Sequence, residues 1–345
     1  MKIMILILCT ILLPIPVSAL EIEAPQVPQS YLDRMPSDTE NLSAGLQEMI
    51  RDALNSLRPD LKEAVHISVG VLSAVLLVSI LETVSSSGNH TAEMTGTVVI
   101  AVLLLSSTGS MIRLAAATVE DISDYGKLLL PVMTTALAAQ GGLTSSGALY
   151  AGTAFFFSIL QSALDSILVP GVFLYLAFCV GSTVTGEQIL KRMGDLLKQL
   201  LGWTLKILMI IFTTYLSLTH AVSGTTDAAA LKAAKVSMST FIPVVGGILS
   251  DASEAVLVSA GLMKNAAGVY GILAVLAVFL HPFLQIGLHY LILKLTGGVA
   301  SVFGTTRMKT IIDAFGSAMA LLLAMTAASC IMVLISTVCF MKEVG

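Results

Sequence analysis

Six long apolar stretches are the feature that most constrains the fold of this chain. They cover Glu63–Leu81, Met94–Ala116, Ala163–Thr183, Leu201–Ala221, Gly268–Leu293 and Ala314–Phe340. Each has close to the roughly twenty apolar residues that a helix needs to cross a hydrocarbon core about 30 Å thick. Only 12% of the 345 residues are charged, about half the share that is typical of soluble domains. The sequence therefore predicts an all-α polytopic membrane protein and excludes an ordinary soluble domain.

The charge balance and the absence of catalytic motifs narrow the possible functions. The formal net charge of −4 provides no basic field to attract phosphate backbones, so the expected environment is the lipid bilayer and not nucleic acid. The sequence contains no phosphate-binding loop, no HExxH or GxSxG motif and no cluster of paired cysteines. We therefore predict that the protein is not an enzyme and that it has no catalytic residue, cofactor or metal site.

Residues 1–19 have the pattern of a secretory signal peptide. Lys2 supplies the positive charge, Ile3–Leu13 the apolar run, and Val17-Ser18-Ala19 a small-residue cleavage site. An apolar run of this length is too short to span a bilayer, although an uncleaved anchor is the alternative. Cleavage after Ala19 would place the mature N-terminus outside the cytoplasm.

The segment 20–61 differs from the rest of the chain in its acidity. Eight acidic and three basic residues give it a local charge of −5 (3 − 8). Its first part contains three prolines and is expected to be extended. Leu42–Leu57 has apolar residues at helical spacing, which predicts an amphipathic helix. This helix could be a docking surface, but we favour an interfacial helix that rests on the bilayer.

Two further apolar regions, Leu128–Leu160 and Val236–Met263, are interrupted by Gly-Gly pairs and polar residues. Irregular backbone at membrane depth is tolerated only where it is buried in protein or lines a watery cavity. We therefore expect two re-entrant or half-helix regions that form a transport site. The candidate residues are Pro131, Gly141, Gly142, Ser145 and Ser146 in the first region, and Pro243, Gly246, Gly247, Ser250, Asp251 and Glu254 in the second.

The serines of these regions have two possible roles. A half-helix N-terminus presents free N–H groups and a partial positive charge, which suit an anion or a carbonyl group, and the serines could line such a site. They could instead cap the helix that follows. The Ser-x-x-Glu pattern around Ser250 and Glu254 resembles a capped helix start, so capping is the preferred interpretation for each serine alone.

The two interrupted regions also suggest a parallel tandem repeat over residues 128–222 and 236–340. In each unit a proline precedes the Gly-Gly pair, and a proline-containing span, a charged stretch and a final span follow. Repeats with broken helices in matching positions are typical of transporter-like sites. The alternative is chance recurrence of glycine, serine and proline, which membrane helices use for close packing.

Charge placement predicts the orientation of the multi-span domain, residues 62–345. With the mature N-terminus outside, six spans place the basic stretches Glu187–Lys198 and Lys294–Asp313 in the cytoplasm. This agrees with the excess of Lys and Arg in cytoplasmic loops. Lys232 and Lys235 argue against this orientation, because both would lie outside.

The order of a signal peptide, an acidic segment and two Pro…Gly-Gly regions resembles the stage III sporulation protein AE family of endospore-forming Firmicutes. The sequences that carry the resemblance are LLPVMTTALAAQGG at 129–142 and FIPVVGGILSDASEAVLVSAGLMKNAAGVYGI at 241–272. The similarity extends over nearly all of the mature chain and is most specific from Phe241 to Gly271.

This resemblance implies a specific role. Such proteins are made in the mother cell and lie, as multi-pass proteins, in the membrane that surrounds the forespore. They belong to a secretion-type channel complex that spore development requires, together with a separate ATPase subunit and a ring-forming partner. The resemblance thus implies a permease-like core or platform, and the family offers no catalytic residues to carry over. A stand-alone secondary transporter of a small solute is the alternative.

Overall fold

The fold is a bundle of long helices. The computed structural model describes residues 25, 27–39, 41–84, 90–241 and 246–341, so the predicted signal peptide lies outside the described residues. A short 3₁₀ helix, Gln29–Arg34, comes first, and a π-helical turn, Leu164–Leu168, joins α4 to α5. The helices are α1 (Leu42–Ser56), α2 (Arg58–Val84), α3 (His90–Ala139), α4 (Leu143–Ala163), α5 (Val169–Thr185), α6 (Gln188–Phe241), α7 (Gly246–Phe303) and α8 (Thr306–Met341).

Six helical segments of the described chain are long and apolar enough to cross a membrane. They are Arg58–Leu81, Glu93–Ala139, Leu143–Thr185, Gln188–Thr219, Lys264–Phe303 and Thr306–Met341. Each of the six predicted spans falls largely within one of these segments. The prediction of an all-α polytopic membrane protein with six spanning helices is therefore confirmed.

The helices are much longer than the sequence predicted. Helix α3 has 50 residues, which corresponds to about 75 Å at 1.5 Å per residue. The prediction ended this span at Ala116 because acidic residues follow at Glu120–Asp124. The helix continues through them, since charged residues weaken membrane burial without breaking backbone hydrogen bonds. It also continues through Pro131, although this proline has no N–H group to donate to the helix. The first part of the interrupted region Leu128–Leu160 therefore belongs to α3, which ends at Ala139.

The π-helical turn between α4 and α5 has a local cause. Pro170 has no N–H group, and its ring clashes with the carbonyl of the preceding turn in an ordinary α-helix. The wider turn at Leu164–Leu168 precedes this proline and lets the helix continue into α5. Asp165 lies in this turn with an exposed side chain, and the amide of Gln161 donates to one of its carboxylate oxygens at 3.3 Å.

Helices α7 and α8 form the centre of the bundle. In the apolar stretch of the α8 span, 61% of the residues are buried inside the protein, whereas the corresponding share in the α2 span is 22%. Helix α8 is therefore central and α2 peripheral. Phe315, Met319 and Leu322 on α8 are almost fully buried. On α2, by contrast, Leu77 and Ile80 are exposed, as expected for side chains that face lipid.

The N-terminal segment packs against α7 and α3. The side chain of Asn41 caps α1 by accepting from the backbone N–H groups of Ser43 and Ala44. Met49 on α1 is buried in one cluster with Leu273 of α7. The predicted amphipathic helix is therefore confirmed, but part of its apolar face packs on protein; other apolar side chains, such as that of Leu54, remain exposed.

A tyrosine attaches the same segment to α3, and it predicts a pH dependence of stability. The hydroxyl of Tyr31 donates to a carboxylate oxygen of Asp121 at 2.5 Å. Burial, followed by this hydrogen bond, raises the pKa of Tyr31 to about 12. The folded state thus favours the neutral phenol. The contribution of the Tyr31 side chain to the free energy of unfolding is therefore complete below about pH 10, and it is lost as the pH rises toward about 12.

Tyr31→Phe should lower the melting temperature of the purified protein at neutral pH. The deficit relative to the wild type should shrink between about pH 10 and pH 12, because the wild type then loses the contribution that the variant already lacks. Thermal unfolding in detergent at a series of pH values measures both effects. Tyr150→Phe, at an exposed tyrosine, is the control. A constant deficit over this pH range would contradict the assignment.

Candidate functional site at the helix breaks

The first predicted break is a tight turn between α3 and α4. The backbone N–H of Gly142 bonds to the carbonyl of Leu137 at 3.1 Å, and that of Gly141 bonds to the carbonyl of Ala138 at 2.9 Å. Gly141 has φ +93°. This combination of a 6→1 bond, a 5→2 bond and a left-handed glycine is the Schellman motif that ends many helices. The Gly-Gly pair therefore produces a helix terminus, as the sequence indicated.

Neither of the neighbouring serines occupies the N-cap position of the next helix. The N-cap of α4 is Gly142, which has no side chain to accept a hydrogen bond. Both Ser145 and Ser146 are buried, and the hydroxyl of Ser146 donates to the carbonyl of Leu143 at 3.0 Å. The capping interpretation is therefore wrong for Ser146, because its hydroxyl is used within the first turn of its own helix. Pro131 lies before the turn with an exposed side chain.

The second predicted break lies between α6 and α7. Helix α6 ends at Phe241 and α7 begins at Gly246, so Pro243 lies outside the described residues. Gly246, Gly247, Ser250, Asp251 and Glu254 are all within the first turns of α7. The expected helix start at Ser250 is therefore wrong, since the helix begins earlier, at Gly246. The side chains of these residues lie outside the described part of the structure.

The turn after α3 lies against α7, the helix that the second break precedes. A Cβ atom added to Gly261 would lie only 2.4 Å from the amide nitrogen of Gln140. Gln140 immediately precedes Gly141, and Gly261 lies in the N-terminal third of α7. The first turn and α7 are thus in direct contact, while re-entry into the membrane and the internal repeat stay predictions.

Comparison with known proteins identifies the family. The model of the family described as stage III sporulation protein AE (spore_III_AE) matches residues 28–343, which includes every helix of the bundle. This chain belongs to that family. The family resemblance inferred from the two Pro…Gly-Gly regions is therefore confirmed, and the chain is a membrane protein of sporulation. The description of the family names no enzymatic activity.

A curated relative of this family gives the same assignment. The chain is 25% identical over 215 residues to "Stage III sporulation protein AE" of Bacillus subtilis (strain 168), an alignment that covers 62% of this chain and 54% of the relative. The chain thus matches about half the length of that protein. No solved structure matches the chain.

The two basic stretches of this family member lie at the same end of the bundle. Arg307 at the start of α8 has its Nε 3.7 Å from Oε2 of Glu93 at the start of α3. A Cβ atom on Gly186, in the turn between α5 and α6, would lie 3.5 Å from the guanidinium of Arg307. The ammonium of Lys198 donates to the hydroxyl of Ser317 at 3.0 Å. Arg307 thus connects helix ends that are far apart in sequence.

Arg307→Ala should therefore destabilise this end of the bundle. The pair with Glu93 is partly buried, so its loss should lower the free energy of unfolding by about 1 kcal/mol, visible as a lower melting temperature in detergent. Lys309→Ala, at an exposed position on the same helix, is the matched control and should have little effect. Equal melting temperatures for the two variants would show that Arg307 does not connect these helix ends.

Sequence reasoning missed two features of this family member. One is a cavity of about 170 Å³ between α1 and α7, with Met49, Ala53 and Ala277 at its apolar wall and Asp52 and His281 among its polar groups. The other is a small cavity beside His289 in the core. Neither has a sequence signal, because each is formed by residues from distant parts of the chain.

Proposed function

We propose that this chain is an integral membrane subunit of a channel complex that joins mother cell and forespore and is required for spore development. In this complex it acts as permease-like core or membrane platform. The observation that carries the proposal is the family match over residues 28–343. Because that match includes all six membrane-spanning segments, the whole bundle, and not an attached domain, is the part common to the family.

The proposal requires separate partners to supply energy and to extend the channel. The 345 residues contain no GxxxxGK[ST] phosphate-binding loop, so a separate ATPase subunit drives any transport. A ring-forming protein continues the path outside the bilayer. The N-terminal segment, packed on α7 and α3 through Met49 and Tyr31, offers an ordered surface at the end of the bundle remote from the basic stretches.

The proposed location is the mother-cell membrane around the forespore, with several membrane passes. We propose that residues 1–19 are removed as a signal peptide and that the N-terminal segment then faces the space between the two cells. The distribution of charge supports this orientation. Arg307 and Lys198 lie at one end of the bundle with the turn after α5, as expected for the cytoplasmic side, whereas the acidic segment 20–61 belongs to the other end.

A flux assay separates this proposal from a stand-alone secondary transporter. The purified chain is reconstituted alone into liposomes, and uptake of small solutes is measured with and without a proton or sodium gradient. A subunit that depends on partners should give no substrate-specific, gradient-driven uptake. Such uptake by the chain alone would overturn the proposal and establish the transporter.

A further inference from the structure

A small cavity lies in the core of the bundle, among α2, α3, α7 and α8. Its volume is about 10 Å³, and its polar walls are Ser68, Ser107, Thr108 and His289. The remaining walls are aliphatic or thioether side chains. Four residues with polar side chains, from three helices, thus lie around one small and mainly apolar cavity.

The cavity is near the middle of the bilayer. The apolar span of α2 is 24 residues long, Arg58–Leu81, which is little more than the twenty or so residues that cross the hydrocarbon core. Ser68 lies close to the centre of this span. Polar groups at this depth are costly unless they find hydrogen-bond partners, so the partners of His289 and Ser68 decide what the cavity can bind.

His289 lines the cavity and carries a buried acceptor. Only 4% of the residue is exposed, and its Nδ1 lies 3.0 Å from the carbonyl oxygen of Gln285. Because a carbonyl only accepts, Nδ1 carries the hydrogen and donates it. A charged ring is expensive at mid-membrane depth, and in the neutral ring Nε2 is then a bare acceptor. Nε2 is buried without a partner among the described residues.

Ser68 likewise presents an acceptor. The hydroxyl of Thr296 donates to the carbonyl of Ile292 at 2.7 Å and so has no further hydrogen to give. Its contact with Ser68, at 2.5 Å, must therefore be a hydrogen bond that Ser68 donates. Ser68 Oγ keeps its lone pairs, so two of the residues that line the cavity, Ser68 and His289, can each accept a hydrogen bond.

We propose that this cavity binds one water molecule, which donates its two hydrogens to His289 Nε2 and Ser68 Oγ. The volume is about that of one water-sized probe, and buried waters typically make two to four hydrogen bonds to such groups. The water connects α2 to α7 at mid-membrane depth and hydrates the centre of the bundle. An ammonium ion has the same donor chemistry and a similar size, and the experiment distinguishes the two.

Solid-state NMR of protein labelled with ¹⁵N in its histidine rings, reconstituted in liposomes, tests the site. The His289 signals are assigned by difference from His289→Gln. The proposal predicts a protonated Nδ1, an unprotonated Nε2 that accepts a hydrogen bond, and magnetisation transfer from water to this ring in ammonium-free buffer. Absence of that transfer, or a protonated Nε2, would overturn it. If the His289 signals change only when ammonium is added, the site binds that ion, and the proposal of a bound water is overturned.

Two alanine variants test the second partner. Ser68→Ala removes one acceptor and should abolish, or reduce several-fold, the transfer from water to His289. Ser329→Ala is the matched control, because Ser329 is buried and its hydroxyl donates to the carbonyl of Thr326 in its own helix. An unchanged transfer in Ser68→Ala would exclude Ser68 as a partner and overturn the proposed geometry. The test on the wild-type protein does not depend on whether Ser68→Ala or Ser329→Ala folds.

Discussion

Replacing Gly152 with leucine should strongly destabilise the helix bundle. Gly152 on α4 faces the ring of Tyr215 on α6, and a Cβ atom at this position would lie 1.8 Å from that ring. The ring has little room to move. Its hydroxyl donates to the carbonyl of Ala148 at 2.9 Å, and the ring also packs on Phe156 at a centroid distance of 5.8 Å.

The expected cost of Gly152→Leu is about 1–3 kcal/mol or more, since overpacking forces side chains from their rotamers or helices apart. Thermal unfolding of the detergent-solubilised protein, followed by size-exclusion chromatography, measures it. Gly147→Leu on the same helix is the matched control, because a Cβ atom there meets nothing within 4 Å. That variant should be neutral or slightly more stable, as leucine favours a helix over glycine by up to about 1 kcal/mol. Equal melting temperatures would contradict the close packing of α4 on α6.

Gly141→Leu should abolish spore formation while the protein still inserts into the membrane. The turn between α3 and α4 holds Gly141 at φ +93°, a conformation that costs a residue with a Cβ atom about 1–2 kcal/mol. The substitution therefore strains the turn and shifts Gln140, whose side chain lies against Gly261 of α7. The predicted loss rests on the proposed function, in which the helix break is needed for channel assembly or conduction.

Spore counts and membrane-inserted protein are measured together in the sporulating host of the chain. Gly141→Asn is the control, since asparagine tolerates the left-handed conformation better than other residues with a Cβ atom, and it should retain more spores than the leucine variant. Normal sporulation with Gly141→Leu would show that this break has no role in function.

Local sequence patterns predicted the elements of the fold more successfully than their extent. The apolar stretches predicted six spans because burial in lipid demands them. The Gly-Gly pair predicted a helix break, and the structure places the end of α3 there, with Gly141 in the left-handed conformation. The full length of α3 was missed. The acidic residues near Asp121 indicated an end to membrane burial, and no local pattern shows that the same helix continues beyond them to Ala139.

Contacts between distant residues could not be predicted at all. Tyr31 and Asp121 are 90 positions apart, and Ser68 and Thr296 are 228 apart. No local signal distinguishes His289 from other histidines near apolar spans, because its acceptor role becomes evident only once α2 and α3 are placed beside α7. Such sites depend on how helices pack, and the periodicity of a single helix contains no information about its neighbours.

Affinity purification of the tagged chain from its sporulating host is the measurement that tests the proposed role most directly. A mild detergent keeps membrane complexes intact, and mass spectrometry identifies the proteins retained. We expect that a separate ATPase and a ring-forming membrane protein are recovered with the chain, and that both are lost or depleted with Gly141→Leu. Recovery of the folded chain without either partner would contradict its role as a channel subunit.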